Sequence, residues 1–269
     1  MPVLRAAAIA LALLQAPMPR FETRLTRDVV YGTGAVRAPR PAPKPLLLDL
    51  YEPVGRDVPV RRPGVVLLHG GGWTRGDKRG PEPYSNMTEL CRELASRGYV
   101  CASINYRLVA DDPPGAAATP LDRTIQASVE DARNAVEWMV ANAARYGADP
   151  ARIVIGGSSA GGGTALMLGY GERGRRLPIR AVLDFWGGLG SRVDWIANGG
   201  PALLIVHGTA DEITDFSAAQ ELADRAKKVG VPHELIGVPG GRHNVPLDRI
   251  VGGVPIHQRI AAFLERELP

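Results

Sequence analysis

Short, uniformly apolar runs alternate along this chain with longer stretches in which apolar residues recur at helical spacing. The runs are residues 65–68 (VVLL), 98–104 (GYVCASI), 153–155 (IVI), 180–185 (RAVLDF), 202–206 (ALLIV) and 233–238 (HELIGV). Runs with so few polar positions suit strands covered on both faces, as in a parallel sheet flanked by helices. The intervening stretches predict helices over 83–97, 121–146, 160–168, 217–229 and 255–267. In the second of these, Ile125, Val129, Ala132, Val136, Met139 and Val140 mark one face. Two further strands, 26–31 and 46–51, precede the first apolar run. A proline-rich connection at 38–45 joins them, which predicts an antiparallel hairpin at one sheet edge. The resulting expectation is an α/β protein with one domain over residues 20–269. It has a single, mostly parallel eight-stranded sheet with an antiparallel N-terminal edge and helices on both faces.

Composition narrows this picture more than it changes it. A chain of 269 residues with 45% hydrophobic content can bury one substantial core. Net charge is +4, and the arginines are scattered rather than gathered into a stripe, which argues against nucleic acid as a partner. Residues 1–19 carry one early arginine and an apolar run at 6–14, too short to span a bilayer but matching a signal-peptide core. Export to the periplasm or medium is the expectation, and a cytoplasmic enzyme with an N-terminal arm is the alternative. The two cysteines allow no cysteine-based zinc site of ordinary spacing and at most one bridge. Cys91 falls in a predicted helix and Cys101 in the next strand. Burial of both as small hydrophobes is preferred to a disulfide.

The chemistry concentrates in residues 151–164, ARIVIGGSSAGGGT, where a strand breaks into glycines and opens a helix. Gly157 to Gly161 matches G-x-S-x-G, with Ser159 at the centre of a sharp strand-to-helix turn. Far upstream, the 65–68 strand runs into His69-Gly70-Gly71-Gly72-Trp73, the second element such a site needs. A serine hydroxyl is a weak nucleophile without an adjacent base and an acid to orient that base. Of the histidines downstream, His243 lies in a glycine-rich loop after the last strand and is the candidate base. His207, His233 and His257 read as structural or solvated. Asp211, in the loop after 202–206, is the candidate acid, with Asp215 and Asp184 as alternatives. Backbone N–H groups of Ala160, Gly71 and Gly72 are the candidate oxyanion donors. Trp73 is the candidate substrate-binding wall, and His69 reads as a loop organiser.

HGGGW followed by RGDK at 75–78, SINYRL at 103–108, GSSAGGG at 157–163 and HGTAD at 207–211 with a late histidine resemble the α/β-hydrolase superfamily. Within it the chain resembles compact bacterial esterases of the acetylxylan/feruloyl type, related to hormone-sensitive-lipase-like carboxylesterases. The resemblance covers residues 26–268. It implies a serine carboxylic-ester hydrolase working through a Ser159-His243-Asp211 triad and an acyl-enzyme, with no metal or organic cofactor. Ser158 departs from the hormone-sensitive-lipase-like pattern, where an aspartate often precedes the nucleophile, and an N-terminal helical cap is lacking. An amidase or peptidase of the kynurenine-formamidase type is the alternative within enzymes. A non-catalytic scaffold of the same fold is the alternative outside them. Only residues 186–201 separate two of the predicted strands, too few for a folded lid. The expected site is therefore an open cleft edged by Trp73, Trp186 or Trp195 and the 108–120 loop. Such a cleft suits short acyl groups or acyl groups on a polysaccharide.

Overall fold

Eight strands form one sheet in the order β1-β2-β4-β3-β5-β6-β7-β8. The computed structural model describes residues 20–80, 86–171 and 177–268. The predicted signal segment, 1–19, and the predicted start of the first helix, 83–85, lie outside the described residues. Strands β3 (Arg62–Leu68), β4 (Val100–Ile104), β5 (Ala148–Ser158), β6 (Ile179–Phe185), β7 (Ala202–Gly208) and β8 (His233–Val238) run parallel. At one edge β2 (Ala42–Val54) pairs antiparallel with β4, and β1 (Glu22–Val36) antiparallel with β2.

The strands are apolar throughout because both faces are buried, and their period of two divides each run between two cores. Val66, Leu68, Leu203 and Ile205 point into one core, beneath helices α2 (Pro120–Ala141), α4 (Ala160–Gly171) and α5 (Phe216–Val229). Val65, Leu67, Leu204 and Val206 point into the other, beneath α1 (Asn86–Ser96) and α6 (Ile256–Glu267). A fully buried side chain of this kind contributes about 1.5–3 kcal/mol.

Three features depart from the sequence reading. The hairpin is much longer than expected, and Pro43 and Pro45 of the supposed connection lie inside β2 opposite Ala35 and Thr33. They are tolerated because β4 pairs only with Leu48–Tyr51, so this part of β2 has a neighbour on one side alone. The long helix ends at Ala141, and a separate turn, α3 (Ala143–Tyr146), follows Asn142, whose side-chain amide donates to the Trp138 carbonyl. The buried stripe of α2 keeps Ala132, Val136 and Met139 of the expected face but also takes in Thr124, Ser128, Asp131 and Ala135, while Ile125, Val129 and Val140 are only partly covered. Polar partners explain the difference: Ser128 meets Thr164 of α4 at 3.0 Å, and Asp131 pairs with Arg107 at 2.7 Å.

Cys91 and Cys101 form a disulfide, with Cα atoms 5.2 Å apart, which corrects the preferred reading of two free buried thiols. Chain reversal between α1 and β4 brings the two residues together inside the second core. Closing a loop of this length constrains the unfolded chain by about 2–3 kcal/mol. The double variant Cys91→Ala/Cys101→Ala is expected to melt about 5–10 °C below the oxidised protein. An unchanged Tm in differential scanning calorimetry would refute a stabilising role for the bridge.

Candidate active site

The turn after β5 is possible only because backbone replaces side chain at two places. A Cβ at Gly157 would lie 2.7 Å from the Leu68 carbonyl oxygen, and one at Gly161 would fall on the carbonyl oxygens of Leu68 and His69. Ser159 itself takes a left-handed conformation, φ 53°, a strained state for a residue with a side chain. Its N–H donates to the Phe185 carbonyl at 2.8 Å, and its carbonyl accepts from Gly163 at 2.9 Å. The Ser159 hydroxyl is thereby set at the N-terminus of α4, half-buried and facing the loops beyond the sheet's carboxyl ends.

Two of those loops carry the partners. His243 Nε2 is 2.9 Å from Ser159 Oγ, and His243 Nδ1 is 2.8 Å from Asp211 Oδ2. The structure thus brings together the three side chains singled out in the sequence. The loops that carry Asp211 and His243 are stitched to each other: Ala210 N–H donates to Gly241 O at 2.8 Å, and Gly240 N–H to Thr209 Oγ1 at 2.9 Å. Arg242 and Glu212 pair above them at 2.6 Å. Burial alone would push the Asp211 carboxyl upward. The hydrogen bonds from His243 and from the Ile213 and Thr214 N–H groups outweigh it and hold the group below the usual carboxylate range.

Neither alternative acid reaches His243. Asp215 caps α5, accepting from Ser217 N–H at 2.8 Å. Asp184 is fully buried under α4, where Oδ1 accepts from Gly187 N–H at 3.1 Å and Oδ2 has no hydrogen-bond partner. His233 meets the Val231 carbonyl and His257 the Leu247 carbonyl, both away from the site.

The HGGG turn lies against the elbow: a Cβ at Gly70 would stand 3.3 Å from Ser159 Cβ. Gly71, at φ 111°, and Gly72, at φ 63°, adopt conformations that suit glycine, and Ala160 opens α4, where helical N–H groups have no intrahelical acceptor. His69 is buried, stacks on Tyr106 at 4.4 Å and meets the Gly70 carbonyl at 2.7 Å, consistent with a loop organiser. Burial holds its imidazole below the ordinary histidine value. Farther along, Lys78 reaches Asp28 at 2.8 Å and Arg79 reaches Asp49 at 2.7 Å, tying the loop to the β1–β2 hairpin. Asn105 adds a clasp, accepting from Lys78 N–H at 2.6 Å and donating to Asp77 at 2.9 Å.

A cavity of about 490 Å³ opens over Ser159 and His243. The 69–80 loop, including Thr74 and Arg75, forms one wall, and Ile213 and Asn244 line it too. The aromatic rim expected from the sequence is not there. Trp73 is outside the lining and turns inward, its indole N–H donating to Thr164 at 3.0 Å. Trp186 is fully buried and presents a ring edge to His243 at 6.4 Å, so it backs the base from below. Trp195 packs on Gly171 and Arg192, away from the cavity. The 108–120 loop contributes nothing to the lining. Sequence reasoning passed over Ile213, whose position beside Asp211 and 74% exposure make it an apolar rim residue. Residues 186–201 hold only a 3-10 turn, Gly190–Trp195.

Comparison with known proteins follows the same lines. Residues 48–186 match the BD-FAE family model. Carboxylesterase NlhH of Mycobacterium tuberculosis is 30% identical over 118 residues, 44% of this chain and 31% of that protein. Esterase LipQ of the same organism is 31% identical over 157 residues, 58% of this chain and 31% of that protein. The chain therefore spans about a third of the length of these curated relatives. Among solved structures, Thermogutta terrifontis esterase 2 phosphorylated by paraoxon superposes with a TM-score of 0.65 at 25% identity, covering 93% of this chain and 92% of that one. The same esterase with propionate bound gives 0.63 at 25% identity, again covering 93% and 92%.

The carboxyl of Asp184 generates a stability prediction. Burial pushes it up to about 7, against 3.8 for an ordinary aspartate. Unfolding therefore releases a proton between those values, and this group's contribution falls as pH rises from about 4 to about 7. Asp184→Asn, which keeps the acceptor for Gly187, is expected to be more stable than the parent at pH 8 by about 2–4 kcal/mol, with the gain vanishing toward pH 4. Denaturant titrations at the two pH values check this, and an equal difference at both would count against a buried neutral acid.

Proposed function

The chain belongs to the BD-FAE family, and on that premise we propose that it is a serine carboxylic-ester hydrolase acting on short-chain or carbohydrate-linked acyl esters. The fold is that of the α/β-hydrolases. The observation that carries the reading is the unbroken relay from Ser159 through His243 to Asp211, with contacts of 2.9 and 2.8 Å, at the floor of a cavity. NlhH and LipQ are named as a carboxylesterase and an esterase, and the Thermogutta protein is an esterase seen with propionate bound, which favours an ester with a small acyl group.

In the proposed reaction Ser159 Oγ attacks the ester carbonyl carbon while His243 Nε2 takes its proton. Asp211 accepts the His243 Nδ1–H, fixes the ring's orientation and balances the imidazolium. The carbonyl oxygen becomes an oxyanion held by the N–H groups of Gly71, Gly72 and Ala160, and one such donor is worth about 3–4 kcal/mol. Collapse breaks the ester C–O bond, and His243 returns its proton to the leaving alcohol. Water, deprotonated by His243, then attacks the acyl-Ser159 carbonyl; the C–Oγ bond breaks, His243 returns the proton to Ser159 Oγ, and the acid is freed. No cofactor is required by this route.

The cavity's volume and its rim residue Ile213 suit a short acyl chain or a small aromatic acid, whose alcohol extends into solvent. Acetyl or hydroxycinnamoyl esters on polysaccharide are the proposed class. Export is proposed with it, because a buried disulfide is stable in oxidising compartments.

Ser159→Ala is expected to abolish p-nitrophenyl acetate hydrolysis. His243→Ala and Asp211→Asn should each lower kcat by roughly 10⁴-fold with small changes in KM. A dead Ser158→Ala beside an active Ser159→Ala would move the nucleophile by one residue. Across p-nitrophenyl esters from C2 to C12, run beside acetylated xylan, methyl ferulate and an acyl anilide, the rate should peak at short chains and both carbohydrate-type esters should be cleaved. A maximum at C8 or longer with neither cleaved would replace this substrate class with a lipase-like one, and preference for the anilide would make the enzyme an amidase. Ile213→Ala is expected to raise KM for butyrate over acetate by about 3-fold or more, from lost apolar contact. Equal KM ratios in variant and parent would take Ile213 out of the acyl site.

A further inference from the structure

Two imidazoles converge on one oxygen beyond the ends of β7 and β8. Asp211 Oδ2 is 2.8 Å from His243 Nδ1 and 3.1 Å from His207 Nε2. His207 Nε2 is also 2.8 Å from the carbonyl oxygen of Thr214, and its Nδ1 is buried with no hydrogen-bond partner. Both neighbours of Nε2 are acceptors, so that nitrogen carries the proton. A proton on Nδ1 would be an orphaned buried donor. The ring is therefore held as the tautomer whose one N–H meets the Thr214 carbonyl, with Asp211 Oδ2 3.1 Å from the same nitrogen.

A purely structural role explains this poorly. The preceding β7 residues are all apolar and buried, and a leucine or phenylalanine at 207 would fill the space beside Phe216 without leaving a bare ring nitrogen. The unfavourable polar group is placed where it touches the acid of the relay. The geometry points to His207 as a positioning residue for Asp211: its Nε2–H, anchored on the Thr214 carbonyl, places partial positive charge 3.1 Å from Oδ2, which favours the carboxylate orientation that faces His243 and offsets part of that oxygen's negative charge. This inference rests on the triad reading proposed above.

The remaining ionisable groups near these loops have other engagements among the described residues. Asp215 caps α5, Glu212 and Arg242 pair with each other, and Asp184 on neighbouring β6 accepts from Gly187. His243 is thus the side chain that donates to Asp211, and His207 Nε2 stands 3.1 Å from the same carboxylate oxygen. Loss of the His207 donor has two consequences. Asp211 gains rotational freedom, which lowers the rate through misorientation of His243. Its Oδ2 also becomes a stronger acceptor, which favours the His243 imidazolium and moves the acid limb of kcat/KM to higher pH.

The test compares His207→Leu, His207→Gln and the parent on p-nitrophenyl acetate from pH 5 to 9. His207→Leu should lose about 10-fold in kcat with KM nearly unchanged, and its acid limb should move up by about 0.5 pH unit or more. His207→Gln, whose side-chain amide can place a donor near the position of Nε2, should restore both. An unmoved acid limb in His207→Leu, or a glutamine variant as impaired as the leucine one, overturns the proposal. Should His207→Leu fail to fold, ¹⁵N spectra of the parent decide: an Nε2–H signal for His207 throughout the range in which His243 titrates is expected, and an Nδ1–H signal overturns it. Asp211→Asn runs alongside. An active Asp211→Asn removes the triad reading and this inference together, whereas a dead Asp211→Asn with a silent His207→Leu removes this inference alone.

Discussion

Backbone approaches backbone at the elbow more closely than any side chain would allow, and the site depends on that approach. Gly157 and Gly161 let the start of α4 settle against the end of β3, where a Cβ would strike the Leu68 and His69 carbonyls. The HGGG turn begins at those same residues, so the contact that permits the turn at Ser159 also sets the glycine loop beside it. The left-handed φ of Ser159 is held by bonds on both sides, to Phe185 and Gly163. Strain stored at one residue is thus supported by two neighbouring elements.

Two buried aspartates illustrate how environment divides chemistry between like groups. Asp211 accepts from two backbone N–H groups and the His243 imidazole, and these donors hold its carboxyl below the usual carboxylate range despite burial. Asp184, at the end of the neighbouring strand, has among the described residues one donor, an unpartnered oxygen and no cation, and burial drives it toward the neutral form. One is held as an acceptor facing His243, and the other, pushed toward its neutral form, packs under the glycines of α4. The difference lies in the number of donors aimed at each carboxylate.

The loop that carries Gly71 and Gly72 needs an anchor, because glycine-rich backbone has little preference of its own. Lys78 and Arg79 supply it through Asp28 and Asp49 of the antiparallel hairpin, and Asn105 fastens Asp77. The N-terminal hairpin, remote in sequence from Ser159, is thereby part of what holds the 69–80 loop in place. A second anchor, Arg107 on Asp131, fixes the chain after β4 to α2. Polar groups buried at these points are paired, as the cost of leaving them bare demands.

Periodicity determined the layered α/β architecture on its own, because a strand covered on both faces must be apolar at every position and a one-sided helix must repeat every three to four residues. Local sterics determined the elbow, since the glycines flanking Ser159 are required by chain geometry in any such turn. Chain order and loop position singled out His243 and Asp211. Spacing could not tell which way a side chain points from a loop. Trp73 and Trp186 both sit at positive φ, 58° and 46°, a conformation residue type does not announce, and it aims one ring inward and buries the other behind His243. The stripe of α2 was read too narrowly: Ala132, Val136 and Met139 are buried as expected, but Thr124, Ser128 and Asp131 are polar by type and buried through partners on other elements. The Cys91–Cys101 bridge and the contact of His207 with Asp211 belong to the same class. Each is a distance of a few ångströms between separate elements, settled by packing, and packing is the one quantity that hydrophobic pattern and spacing do not encode.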